Sequence, residues 1–160
     1  LQAIVTYYSQ TGNTEKVAKA LAKGMGKAGA SVTVKRIEDV DPSELGKYDL
    51  ICIGTPVHYF RAAGKVREFL EKLPNLTGKF GVSFSTHGGF GPGRSLSVVE
   101  SALRSRGARI LGGLTTVAAN HHYRLFVLFK NRPNEDDLRK FEKFGRTVIR
   151  AASRENPLSS

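Results

Sequence analysis

Between an apolar run, Ala3-Ile4-Val5-Thr6-Tyr7, and a helical pattern carried by Val17, Leu21, Met25 and Ala28 lies the stretch Tyr8-Ser9-Gln10-Thr11-Gly12-Asn13-Thr14. The change of period predicts a strand that ends there and a helix that begins there. The first N–H groups of a helix have no carbonyl behind them, and with the helix dipole they form a site for an anion such as phosphate. Ser9, Thr11, Asn13 and Thr14 add short polar side chains, and Gly12 permits a positive φ or a close backbone approach. These neutral donors suit a phosphate monoester. The lysine of a G-x-x-x-x-G-K-[ST] nucleoside triphosphate loop is absent. A capped helix with no ligand is the other reading that these residues allow.

The rest of the chain repeats the strand-then-helix alternation. Ser31–Ile37 alternates as a half-exposed strand, Tyr48–Ile53 is a continuous apolar strand, and Val66, Phe69, Leu70 and Leu73 mark a helix that stops before Pro74. Lys79–Ser85 predicts a fourth strand, Leu96, Val99 and Leu103 a helix, and Arg109–Val117 a fifth strand whose Gly112-Gly113 suggests a bulge or a close approach. A last helix starts near Asn134 and buries Leu138, Phe141, Val148, Ile149 and Ala152. Asn120–Pro133 is expected to be an extra edge strand, a flap or an exposed patch.

Such alternation predicts an α/β doubly wound fold with right-handed crossovers, a five-stranded parallel sheet of order 2-1-3-4-5 with helices on both faces. Ligands of such sheets bind at the carboxyl ends of the strands, where the winding reverses. The loops after strands 1, 3 and 4 are therefore expected to meet. Residues 1–154 are read as one domain and 155–160 as a tail.

The motif strand-[ST]-x-T-G-[NT]-T-helix at Ser9–Thr14 resembles the phosphate loop of the flavodoxin-like family, which binds flavin mononucleotide (FMN). Gly54-Thr55-Pro56-Val57-His58-Tyr59 and Ser85-Thr86-His87-Gly88-Gly89-Phe90-Gly91 resemble its second and third loops, and the likeness spans the chain. Within the superfamily the chain resembles the flavodoxin-like oxidoreductases, including a quinone oxidoreductase type whose loops read similarly around G-T-P and S-T-x-x-x-H-G-G, more than the acidic electron carriers. The resemblance implies a three-layer sandwich, FMN as cofactor, and phosphate held by Ser9, Gln10, Thr11, Gly12, Asn13 and Thr14, with Thr55 nearby. It implies a ring covered from Pro56 and Val57 onward, stacked by His58, Tyr59 or Phe60, and met at its polar edge by Ser85, Thr86, His87, Gly88, Gly89, Phe90 and Gly91. No catalytic acid or base and no metal ligand follow from it.

Electron-carrier flavodoxins are acidic, whereas this chain carries a net charge of +11. Thr55–Lys65 and Ser85–Ser97 contain no Asp or Glu but do contain His58, Arg61, Lys65, His87 and Arg94. Cations near the ring favour the anionic reduced flavin, so a less reducing potential is expected. No glycine separates Thr55 from Arg61, so a peptide flip at Val57 or His58 is disfavoured and mainly two-electron chemistry is expected.

Expected partners are a redox protein with an acidic surface or a small acceptor such as a quinone, with NAD(P)H as a donor. An oligomer is compatible with the sequence. The alternative is a flavin-free binding module of the same fold, with a basic surface for an acidic protein, a membrane surface or nucleic acid. The basic residues are scattered and no nucleic-acid motif is present, which argues against nucleic acid as the main partner. The one cysteine, Cys52, lies in an apolar strand, and no long apolar run spans a bilayer, so a soluble, cytoplasmic protein is expected.

Overall fold

Successive residues of a strand face opposite sides of a sheet, and β1 (Gln2–Tyr7) shows the consequence. Ala3, Val5 and Tyr7 enter one apolar core, while Ile4 enters the other, as does Tyr8 just past the strand. The chain is described by a computed structural model covering residues 1–58, 61–62, 64–88, 92–118 and 131–155. Its elements are β1, α1 (Asn13–Lys27), β2 (Ser31–Arg36), β3 (Leu50–His58), β4 (Arg61–Ala62), α2 (Gly64–Glu71), β5 (Phe80–His87), α3 (Pro92–Ser105), β6 (Arg109–Val117) and α4 (Glu135–Glu155). Two 3₁₀ turns, Ile37–Asp39 and Pro42–Lys47, connect β2 to β3.

The parallel sheet runs β2-β1-β3-β5-β6, and the two-residue β4 pairs only with β3, antiparallel. Leaving β4 aside, this is the predicted five-strand order 2-1-3-4-5. On one face, α1 and α4 cover Ala3, Val5, Leu50, Cys52, Val82 and Phe84, with Phe84 edge-on to Phe141 at 6.2 Å between ring centroids. On the other, α2 and α3 cover Ile4, Ile51 and Ile53 with Val66, Phe69, Leu70, Val99 and Leu103. Burial of its thiol in the first core pushes the pKa of Cys52 well above the ordinary thiol range.

Two strands run further than their sequences suggest. Residues 54–58 read as loop, yet β3 continues through His58, pairing Thr55 with Ser85 and Pro56 with Thr86, and β5 continues to His87. The proline misled because β1 pairs with β3 only as far as Gly54; past that point one side of β3 is an edge, where a strand proline is tolerated. Gly54 itself has a packing reason: a Cβ there would collide with the Phe84 ring.

Both expectations for Gly112-Gly113 hold. The register jumps between Gly81↔Ile110 and Val82↔Gly112, which leaves Leu111 as the bulge residue, and Gly112 has φ 145°. Beside it, a Cβ on Gly113 would stand 2.5 Å from Ser83 Oγ, which donates to Glu100 Oε1 at 2.8 Å. Helix α4 runs through Glu155. The predicted edge strand or flap falls mostly on residues 119–130, outside the described residues.

One buried polar atom stands out. Thr6 is fully buried, and its Oγ1 has no hydrogen-bond partner among the described residues. An unpaired buried hydroxyl costs about 1–3 kcal/mol. The isosteric Thr6→Val change should therefore raise stability by about 1 kcal/mol in urea unfolding of the flavin-free protein.

Candidate functional site

The carboxyl ends of β1, β3 and β5 meet through specific bonds. Tyr8 N–H donates to Gly54 O at 3.0 Å, which ties the first loop to β3. Thr14 Oγ1 lies 2.9 Å from Thr86 Oγ1 in a buried contact, which ties the first turn of α1 to the end of β5. Ala118 N–H donates to His87 O at 2.8 Å, extending the joint to the strand beyond. The described bases of all three predicted loops thus share one rim.

The first loop has the geometry that an anion requires. Gly12 has φ 83°, the left-handed region, and nothing lies within 4 Å of where its Cβ would be. Its N–H donates to Ser9 Oγ at 3.1 Å, which closes the loop on itself. The first helical carbonyl bond is Lys16 N–H to Gly12 O at 3.0 Å, so the amides of residues 13 to 15 lie ahead of the intrahelical ladder. Ser9, Asn13 and Thr14 are buried, and Gln10 and Thr11 are exposed. Nearby, Glu15 is the one acid of the first turn, and its hydrogen bond with Lys19 lowers its carboxyl pKa. Neutral donors, a helix N-terminus and an open left-handed glycine fit a phosphate monoester dianion.

The described parts of the second and third loops are held by their own bonds. Thr55 and Ser85 are fully buried, and their hydroxyls donate inward, to Pro56 O at 2.9 Å and to Thr115 Oγ1 at 3.0 Å. Val57 is buried and pairs with Ala62, and His58 pairs with Arg61, so β3 and β4 run antiparallel there. His87 is half-buried, and desolvation lowers its pKa, which keeps the imidazole neutral at neutral pH. Thr86 is buried and Gly88 partly exposed beside it. Tyr59, Phe60, Gly89, Phe90 and Gly91, named above for stacking and for the ring edge, lie outside the described residues.

One contact at this rim escaped the sequence. Arg36, the last residue of β2, sits across from Tyr7 and donates from Nη2 to Ser9 O at 2.9 Å. Only the strand register, which places the end of β2 beside the end of β1, could have revealed it.

Comparison with known proteins identifies the family. The flavodoxin family model matches residues 5–125, and the chain belongs to the flavodoxin family. Its cofactor is FMN, and its function is redox. An uncharacterised protein of Methanocaldococcus jannaschii is 31% identical over 157 residues, covering 94% of this chain and 99% of that one. An NAD(P)H dehydrogenase (quinone) of Brucella anthropi is 34% identical over 99 residues, covering 49% of this chain and 50% of that one. A flavodoxin from the domain Archaea superposes with TM-score 0.76 at 21% identity, covering 96% of this chain and 99% of that one, a likeness of fold. No helix among the described residues is long and apolar enough to cross a membrane.

Proposed function

We propose that residues 1–154 form one FMN-binding domain that passes electrons in pairs to a small acceptor of the quinone class. The phosphate is held by Ser9, Gln10, Thr11, Gly12, Asn13 and Thr14; Thr55 and Ser85 support them. The ring lies over Pro56, Val57 and His58 toward Tyr59 and Phe60, with Thr86, His87, Gly88, Gly89, Phe90 and Gly91 along its polar edge. FMN supplies the redox chemistry when bound; the chain supplies orientation and electrostatics.

The observation that carries the two-electron reading is the antiparallel pairing of β3 with β4. Val57↔Ala62 and His58↔Arg61 hold in a ladder the peptides that would have to flip if the flavin were to stop after one electron. No glycine eases such a flip. The quinone dehydrogenase names of several relatives support the acceptor class, although the matched region is about half of the Brucella anthropi protein. A cytoplasmic setting suits the buried, lone thiol of Cys52.

Stepwise anaerobic reduction of the FMN-loaded protein tests this. The oxidised spectrum should convert to the fully reduced one through shared isosbestic points, and NAD(P)H should then support turnover of a soluble quinone. A long-wavelength band accumulating at half reduction, with no quinone turnover, would favour a one-electron carrier serving a protein partner.

A further inference from the structure

Four side chains form a run of contacts beside the first loop, and one of them, Arg36, reaches its backbone. Arg36 donates from Nη2 to Ser9 O at 2.9 Å, and its Nε lies 3.6 Å from Glu38 Oε2. Glu38 Oε1 lies 3.7 Å from Lys65 Nζ, and Lys65 in turn stands 5.5 Å from the centre of the Tyr8 ring. The circuit joins the end of β2, the first 3₁₀ turn, the start of α2 and the loop itself.

Its members differ in weight. Lys65 and Glu38 have side-chain exposures of 60% and 33%, and ion pairs this open contribute little. The bond from Arg36 is of another kind, because a charged donor meets a backbone carbonyl in a part-buried setting. Ser9 is also the residue whose Oγ accepts the Gly12 N–H, so its carbonyl and its hydroxyl are both held. A loop fixed at Ser9 presents its remaining N–H groups in one arrangement before any ligand arrives, and preorganisation of that kind lowers the ordering cost of binding.

We propose that Arg36 is a positioning residue for the phosphate loop: through Ser9 O it holds Ser9–Thr14 in the conformation that receives the FMN phosphate, and it does so by hydrogen-bond geometry rather than by net charge. This rests on the reading of Ser9–Thr14 as the phosphate site. A guanidinium fork can face Ser9 O and Glu38 together, whereas the single nitrogen of a lysine cannot do both in the same way.

The test is the affinity of flavin-free protein for FMN and, separately, for riboflavin, which lacks the phosphate, read by flavin fluorescence in wild type, Arg36→Lys and Arg36→Met, with the thermal midpoint of each. Arg36→Met should lose about tenfold in FMN affinity and Arg36→Lys about threefold, the scale of one charge-assisted hydrogen bond, with riboflavin affinity and midpoint close to wild type. If Arg36→Lys matches wild type while Arg36→Met loses FMN affinity, Arg36 acts by charge alone and the proposal falls. It falls too if both variants keep wild-type affinity, or if both ligands and the midpoint decline together. A wild-type protein that binds FMN no better than riboflavin instead overturns the phosphate site beneath it.

Discussion

Thr11→Asp will leave the fold standing and cut the affinity for FMN by about a hundredfold, while riboflavin affinity changes by less than about threefold. Thr11 is exposed at the crown of the first loop, so a carboxylate there displaces no packing. It would, however, face the phosphate dianion. At an effective dielectric near 20, such a pair within about 5 Å repels by several kcal/mol, of which about 3 kcal/mol survives screening. Thr11→Ser keeps a neutral donor and should bind FMN much as wild type does. Fluorescence titration of the flavin-free variants with both ligands reads the result, and equal losses for FMN and riboflavin would mean that the phosphate sits elsewhere.

The second large effect is in the scaffold that aims this loop. Helix α1 follows the first loop, and where Gly24 and Gly145 face the neighbouring helix the backbones of α1 and α4 come close with no side chain between them. A Cβ on Gly24 would stand 2.7 Å from the carbonyl carbon of Glu142 and closer still to its oxygen. One on Gly145 would stand 3.0 Å from the Met25 nitrogen and closer to the Leu21 carbonyl. Backbone cannot yield as a flexible side chain can, so Gly24→Ala must separate the helices. Glu142 braces the same crossing from outside, with Lys27 at 2.7 Å and Lys23 at 3.3 Å.

Alanine ordinarily stabilises a helix relative to glycine by about 1 kcal/mol, and at Gly26, on the exposed side of the same helix with open space around it, that gain should appear. At Gly24 the overpacking should outweigh it and leave a net loss of about 3 kcal/mol. In a protein of this size that is a drop in Tm of roughly 6–12 °C. Opposite signs for Gly24→Ala and Gly26→Ala in the same unfolding assay are the expected result. A stabilised Gly24→Ala would show that the two helices have room to spare.

The order of the sheet was legible because two-sided burial leaves a plain mark: Ile51 to Ile53 is apolar without a break, while β2, at the edge, alternates. The site was legible where its chemistry is local. Ser9–Thr14 carries its strand end, its left-handed glycine and its helix start within a few residues, and Gly112-Gly113 declared its bulge. What depended on pairing was hidden. Pro56 reads as punctuation until the early end of β1 is known, and Arg36 reads as one more exposed cation on an alternating strand. Asp137 shows the same divide. It suits a helix N-terminus by type, and it does exchange bonds with Asn134, each backbone N–H donating to the other's side chain. Yet it is buried, and it accepts from Arg132 Nη2 at 2.6 Å, a pairing that no local propensity announces.

The whole account comes down to whether the joined ends of β1, β3 and β5 hold a phosphorylated flavin. Titrating the flavin-free chain with FMN while following flavin fluorescence measures this directly. The account predicts saturation at one FMN per chain, with quenched emission and an affinity at least about a hundredfold above that for riboflavin, the weight of the phosphate contacts. Failure to saturate, or equal affinity for the two flavins, would contradict it.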